Sequence, residues 1–196
     1  MLLLIFCEKK DGADMARKET VTREYLFNTA FQMLREEGIE HITARKLAVK
    51  AGCSTQPIFR IYSNMDELWK ELFEKGVEYF EEFYNRTPRY DDTPFVNLGV
   101  TYIRFAMEEP HLFHLLFLSQ NRYGKGLYEI LNGRMGSVGR EISRAKANGC
   151  EQEGQMFMKM WIFIHGAACM TTTGDYDLKM QDTIEMLKGA YQGFLA

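Results

Sequence analysis

The sequence predicts an all-α fold, and three observations carry that expectation. Apolar residues recur at helical spacing along the chain, no run alternates with period two for long enough to be a strand, and glycine or proline interrupts the pattern where helices would end. At 196 residues, 46% hydrophobic and 26% charged, the chain is large enough for an N-terminal three-helix bundle joined to a larger helical body.

The elements follow in order. Leu26, Phe27, Ala30, Phe31 and Leu34 form a first stripe, which stops at Gly38, a residue suited to the position after a helix. Thr43 is expected to cap a short helix through Ala51, and Ser54 to cap the next, which runs to about Ile61. Asn64 caps a long helix with Leu68, Leu72, Val77, Phe80 and Phe83 inside; Asp66 and Glu67 in its first turn complement the helix dipole. TPRYDDTP (87–94) is the clearest break, and helices are expected near 95–108, 110–119, 126–147, 151–172 and 179–194. The expected organisation is a leader over 1–14, a helix-turn-helix unit over 15–63 and a helical ligand-binding and dimerising body over 64–196. MLLLIF at the start lacks the basic flank and cleavage site of a signal peptide, and MARKET from Met15 reads as a more natural beginning.

Charge is unevenly distributed. Between Arg17 and Tyr62 eight Lys and Arg stand against five Glu, leaving a net charge of +3 there and −5 over Ser63–Ala196. A basic end on an acidic body suits a polyanionic partner. Cys7, Cys53, Cys150 and Cys169 have no metal-like or CxxC spacing and fit a reducing cytoplasm. No stretch reaches the ~20 apolar residues of a membrane span.

Residues 43–68, TARKLAVKAGCSTQPIFRIYSNMDEL, combine these signals. Leu47, Ala48 and Ala51 give the first short helix a small apolar side, Gly52 permits a sharp turn, and Ala48 allows a second helix to cross closely. With Cys53, Ile58 and Ile61 turned inward, the second helix presents Thr55, Gln56, Phe59 and Arg60. Pro57 stiffens its first turn. Gln56 suits adenine, Thr55 and Pro57 a thymine methyl, and Arg45 and Arg60 the phosphates.

Thr43, Arg45, Leu47, Ala48, Ala51, Gly52, Ser54, Ile58, Phe59, Tyr62, Asn64 and Leu68 resemble, in order and spacing, the N-terminal signature of the tetracycline-repressor (TetR/AcrR) family. The resemblance covers about Lys18 to Leu72. It implies a dimeric transcription factor, usually a repressor, released from double-stranded operator DNA by a small molecule, with Thr43, Arg45, Ser54, Thr55, Gln56, Pro57, Phe59, Arg60 and Asn64 as the DNA-binding set. Two positions depart from the pattern: Phe59 stands where the family usually has a phosphate-gripping Tyr, and Met65 replaces a usual Lys. The share of affinity expected from Arg45, Arg60 and the basic stretch Arg17–Arg23 rises accordingly.

EEPHLFHLLFL (108–118) and WIFIHGAACMTTTG (161–174) resemble a sensor type found in part of that family, marked by Trp-X-X-X-His-Gly. A pocket for an apolar or amphipathic molecule is expected among Tyr102, Phe105, Phe117, Met160, Trp161 and His165, with a neighbouring carbonyl as the plainer partner for His165. The segment Met156–Met170 is apolar nearly all round, which places one side in its own core and another in a partner chain. Phe157, Ile184, Leu187, Tyr191 and Phe194 are the expected dimer contacts, in a four-helix interface.

Glu108, Glu109, His111 and His114 lack the i, i+4 histidine spacing of a zinc helix, so neither metal nor cofactor is expected. No nucleophile elbow, metalloprotease motif or phosphate loop occurs, and no enzyme is expected. A DNA-binding dimer without a ligand, and a helical small-molecule binding protein or enzyme, remain alternatives.

Overall fold

The computed structural model describes residues 21–195, and every regular element among them is helical. The leader 1–14, with Cys7, and the basic residues Arg17 and Lys18 lie outside the described residues.

Helix α1 (Arg23–Glu37) starts at Thr22, whose hydroxyl accepts from the Tyr25 N–H at 3.1 Å, and stops at Gly38. A 3-10 turn over Ile39–His41, which the apolar pattern does not signal, leads to α2 (Ala44–Lys50) and α3 (Gln56–Ile61). Leu26, Ala30, Leu34, Leu47, Ile58 and Leu68 are completely buried and form the core of this three-helix bundle. Helix α4 (Met65–Arg86) begins where Asn64 Oδ1 accepts from the Glu67 N–H at 3.0 Å. It is tied back to the bundle by Trp69, whose indole N–H donates to the Ile42 carbonyl at 3.2 Å.

The larger body is built around α5 (Val96–Glu108), buried continuously from Val96 to Ile103. Gly99 permits this. A Cβ there would lie 3.0 Å from side-chain carbons of both Ile164 and Leu187, so α9 (Glu153–Thr173) and α10 (Met180–Leu195) approach α5 at van der Waals distance. The entry to α5 is fixed at Phe95, a left-handed residue (φ 65°) whose N–H donates to the buried carboxylate of Glu141 at 2.6 Å. Such a conformation costs about 1–3 kcal/mol in a non-glycine residue, and this charge-assisted bond and the fully buried ring offset it.

Helix α6 (Pro110–Phe113) runs into a π turn over His114–Leu118. The single helix expected over 126–147 is corrected to two, α7 (Leu127–Asn132) and α8 (Ser137–Ala147). Gly133 and Gly136 both take positive φ, and Glu81 of α4 fills the corner by accepting from the Met135 N–H at 2.9 Å. A helical apolar pattern persists through such a corner, which is why periodicity alone did not detect it.

Candidate nucleic-acid interface

The corner between α2 and α3 is a Schellman closure. The Cys53 N–H bonds to the Ala48 carbonyl at 2.9 Å, the Gly52 N–H bonds to the Val49 carbonyl at 3.2 Å, and Gly52 sits at φ 66°. An added Cβ at Gly52 would meet nothing within 4 Å. The glycine is therefore required by backbone conformation rather than by space. At the other end of α2, Thr43 Oγ1 accepts from the Lys46 N–H at 3.2 Å.

The expected cap at Ser54 is corrected. The first backbone bonds of α3 end on the Thr55 carbonyl (from the Phe59 N–H at 3.3 Å), so the capping position falls on Thr55, which makes no side-chain capping bond. The hydroxyls of Ser54 and Thr55 are both exposed and uncommitted among the described residues. Beside them lie the exposed Gln56, Arg60 and Phe59 (53% accessible), with Pro57 half-buried. Ile58 is fully buried beneath them; Cys53 and Ile61 are half-buried. Thr43 and Arg45 are exposed at the start of α2. Neither Arg45 nor Arg60 forms an ion pair among the described residues, whereas Lys50 pairs with Glu36 at 3.1 Å. Arg23, from the basic stretch, is bonded to Glu71 and lies over the Tyr62 ring. Asn64 spends its carbonyl oxygen on capping α4.

Behind this head, one buried group joins α1 to the body. Glu109, 7% accessible, receives the Arg35 guanidinium of α1 on both oxygens and the Tyr79 hydroxyl of α4 at 2.7 Å. The Arg35 guanidinium also lies 5.0 Å from the Tyr79 ring centroid. Glu109 is thus engaged with Arg35, and the histidines after Pro110 have no part in its coordination.

In the body, Tyr102, Phe105, Phe117 and Met160 are buried, and their rings or chains fill the space they share. Phe80 makes edge contacts with Tyr102, Phe105 and Phe117 at 6.2, 4.9 and 5.2 Å. Trp161 and His165 are half-buried and stacked, centroids 5.3 Å apart. His165 Nδ1 meets the Tyr102 hydroxyl at 2.9 Å, in place of the carbonyl expected from sequence. That hydroxyl has no other partner among the described residues, so it is satisfied by donating to Nδ1, which leaves the His165 Nε2–H facing Cys169 Sγ at 3.6 Å. Burial, and secondarily the Arg122 charge, hold the His165 pKa below the usual histidine value. A base with a depressed folded-state pKa binds fewer protons folded than unfolded, so stability falls as pH drops below about 6.5. We expect melting temperature to decline in that window and His165→Gln to flatten the decline. An equal slope in both proteins would assign it to other groups.

Of the dimer contacts expected from sequence, three are buried within the single chain and two are half-buried. Ile184, Leu187 and Tyr191 are 6%, 0% and 2% accessible within the single chain and pack inward, and Phe157 and Phe194 are half-buried. A further apolar surface lies open: Met158, Ile162 and Met170 of α9, with Leu178 just before α10 and Met180 at its start. A 560 Å³ groove within it is lined by Ile162, Phe163, Met170, Tyr176, Leu178 and Met186, among others.

Comparison with known proteins places these features. Residues 95–190 match a family model described as the tetracyclin repressor-like C-terminal domain. The chain belongs to the tetracycline-repressor family. It is a transcriptional regulator of that family, and the matched half is the one whose sequence resemblance was confined to two short segments. In fold it is similar to a TetR-like transcriptional regulator from Rhodococcus sp. RHA1 (13% identity, TM-score 0.63, covering 88% of this chain and 94% of that one). It is also similar to a TetR transcription regulator from Haloarcula marismortui (18%, 0.60, 87% and 96%). A protein of unknown function from Rhodococcus sp. RHA1 has the same fold (19%, 0.67, 92% and 98%). No curated protein matches the sequence. Among the described residues no helix is long and apolar enough to cross a membrane.

Proposed function

We propose that this regulator is a homodimeric, cytoplasmic repressor that reads a palindromic operator and is released by a small apolar or amphipathic molecule. The observation that carries the DNA reading is the outer face of α3. Thr55, Gln56 and Arg60 stand exposed on a helix fixed by the Gly52 corner, beside an Arg45 with no ion-pair partner among the described residues. The proposed division is a reading head over 15–63 and a ligand-binding and dimerising body over 64–196.

The dimer is formed by the open apolar face of α9 and α10. Gly166, Gly189 and Gly193 lie on these helices in open space. Glycine inside a helix costs roughly 1 kcal/mol relative to alanine, and close approach of a partner helix would compensate for that cost. Two heads carried by such a dimer must stand ~34–36 Å apart to reach successive half-sites. Helix α4, which starts beside α3 and ends against α5, transmits a change in that separation. The Arg35–Glu109–Tyr79 cluster fastens the head to the same frame. The close packing of Tyr102, Phe105, Phe117 and Met160 favours a second reading, a DNA-binding dimer with no ligand.

The test is selection from a pool of random duplexes at two salt concentrations. A palindrome should be enriched; binding that vanishes with salt without enrichment would remove the operator reading. Arg45→Ala should weaken binding to all sequences and reduce the slope of log affinity against log salt by about 1. Gln56→Ala should instead cost about 1–3 kcal/mol at one adenine position and relax preference there. An unaltered selection profile would take Gln56 out of base reading.

A further inference from the structure

We infer that Arg122 is the anchor of an effector site that takes an amphipathic monocarboxylate, its carboxylate on the guanidinium and its apolar body along the ring ladder of α9. The inference rests on the ligand-released reading above and gives its ligand a chemical class.

The loop after the π turn brings Arg122 against the aromatic core, where its one hydrogen bond among the described residues runs from Nη2 to the Phe117 carbonyl at 3.3 Å. Among the described residues its buried Nε–H finds no acceptor and Arg122 forms no salt bridge. A buried donor left unpaired is costly, and more so on a charged group. The missing acceptor is specific. Nε–H and one Nη–H form the side-on fork that a carboxylate fills with two parallel bonds. No acidic side chain among the described residues supplies it, and the Arg122 charge reaches both Tyr102 and His165, whose pKa burial already holds low.

The surroundings suit the rest of such a ligand. His165 and Trp161 stack, Trp161 and Phe157 stack at 6.4 Å, and Tyr128 closes edge-on over Phe157 at 6.0 Å. The ladder from His165 to Phe157 extends about 12 Å along the helix, and its rings are half-buried rather than sealed. The polar end lies at His165 and the apolar end at Phe157.

The loop also leads back to the head. Tyr123, next to Arg122, has left-handed φ (49°), a conformation that non-glycine residues hold only when their surroundings enforce it. Its ring packs on Phe73 of α4 at 5.4 Å, and its hydroxyl is beside Asp66, in the first turn of α4. A ligand that draws Arg122 inward pulls directly on the residue seated against the start of α4, three residues beyond α3.

Calorimetric titration of the full-length protein with octanoate and 4-phenylbutyrate, beside octan-1-ol and 4-phenylbutan-1-ol, tests this. The acids should bind at least tenfold more tightly than the alcohols. Arg122→Gln should remove that advantage, and Arg122→Lys, which keeps the charge but not the fork, should retain part of it; the melting curve of each variant checks its fold. Equal binding of acid and alcohol, indifference to Arg122→Gln, or no binding of either acid would overturn the inference. Adding the acids to the operator complex separates the two readings. Arg122-dependent binding without release of DNA would sustain the carboxylate site and defeat the ligand-released repressor.

Discussion

Ile162→Glu is expected to convert the dimer to a folded monomer in sedimentation and to lower operator affinity by at least about 10²-fold, whereas Tyr191→Glu should unfold the chain. The two side chains lie on opposite sides of the same pair of helices. Ile162 is 66% accessible on α9 and lines the open apolar groove, so a carboxylate there is solvated in the monomer and stranded in a dimer. Two linked heads gain about 10²–10⁴ over one through effective concentration, and that gain disappears when the dimer splits. Tyr191 is 2% accessible and packs against Phe95 at 6.3 Å. Glutamate there would bury a charge in an apolar core near the buried Glu141, a change on the scale of a whole domain's stability. Circular dichroism distinguishes the outcomes. A dimeric Ile162→Glu protein would move the interface to another surface.

Arg35→Ala is expected to destabilise the protein by about 3 kcal/mol, the low end for breaking a buried ion pair. Removing the cation leaves Glu109 charged at 8% side-chain accessibility; the Tyr79 hydroxyl still donates to it, and the 42% exposure of Arg35 moderates the loss. Replacing both partners, as Arg35→Met with Glu109→Leu, should recover most of that stability, because no charge is then left buried. Urea titration at constant m value measures each variant. A cost below about 1 kcal/mol would mean that the pair behaves as a surface salt bridge. Because this cluster joins α1 to α4 and to the junction of α5 and α6, the double variant should also weaken coupling between effector and operator while leaving operator affinity intact.

Much of the N-terminal head was legible in the sequence because its determinants are local. Thr43 and Asn64 each accept from an N–H three residues on, and Gly52 closes its corner on carbonyls within five residues. Where a neighbour competes, the local reading fails. Ser54 and Thr55 are both acceptable caps, and only the start of the backbone bonding of α3, on the Thr55 carbonyl, decided between them. Arg122 gave no signal at all, since a lone arginine in a loop becomes distinctive only when its Nε–H is seen to lack an acceptor.

The sequence by itself determined the helices, most of their ends, and the small-residue corner that makes α2 and α3 a reading unit, because caps, turns and apolar periodicity act within one or two turns of the chain. The tertiary structure alone decided which side of α9 and α10 is core and which is open, and which charges meet. The stripe Ile184–Leu187–Tyr191 records that a face is buried, but what covers it is set by α5 and by Gly99, some ninety residues away. Arg35 and Glu109, 74 residues apart, pair for the same reason: long-range contacts depend on the shapes of surfaces brought together, and periodicity carries no record of the partner.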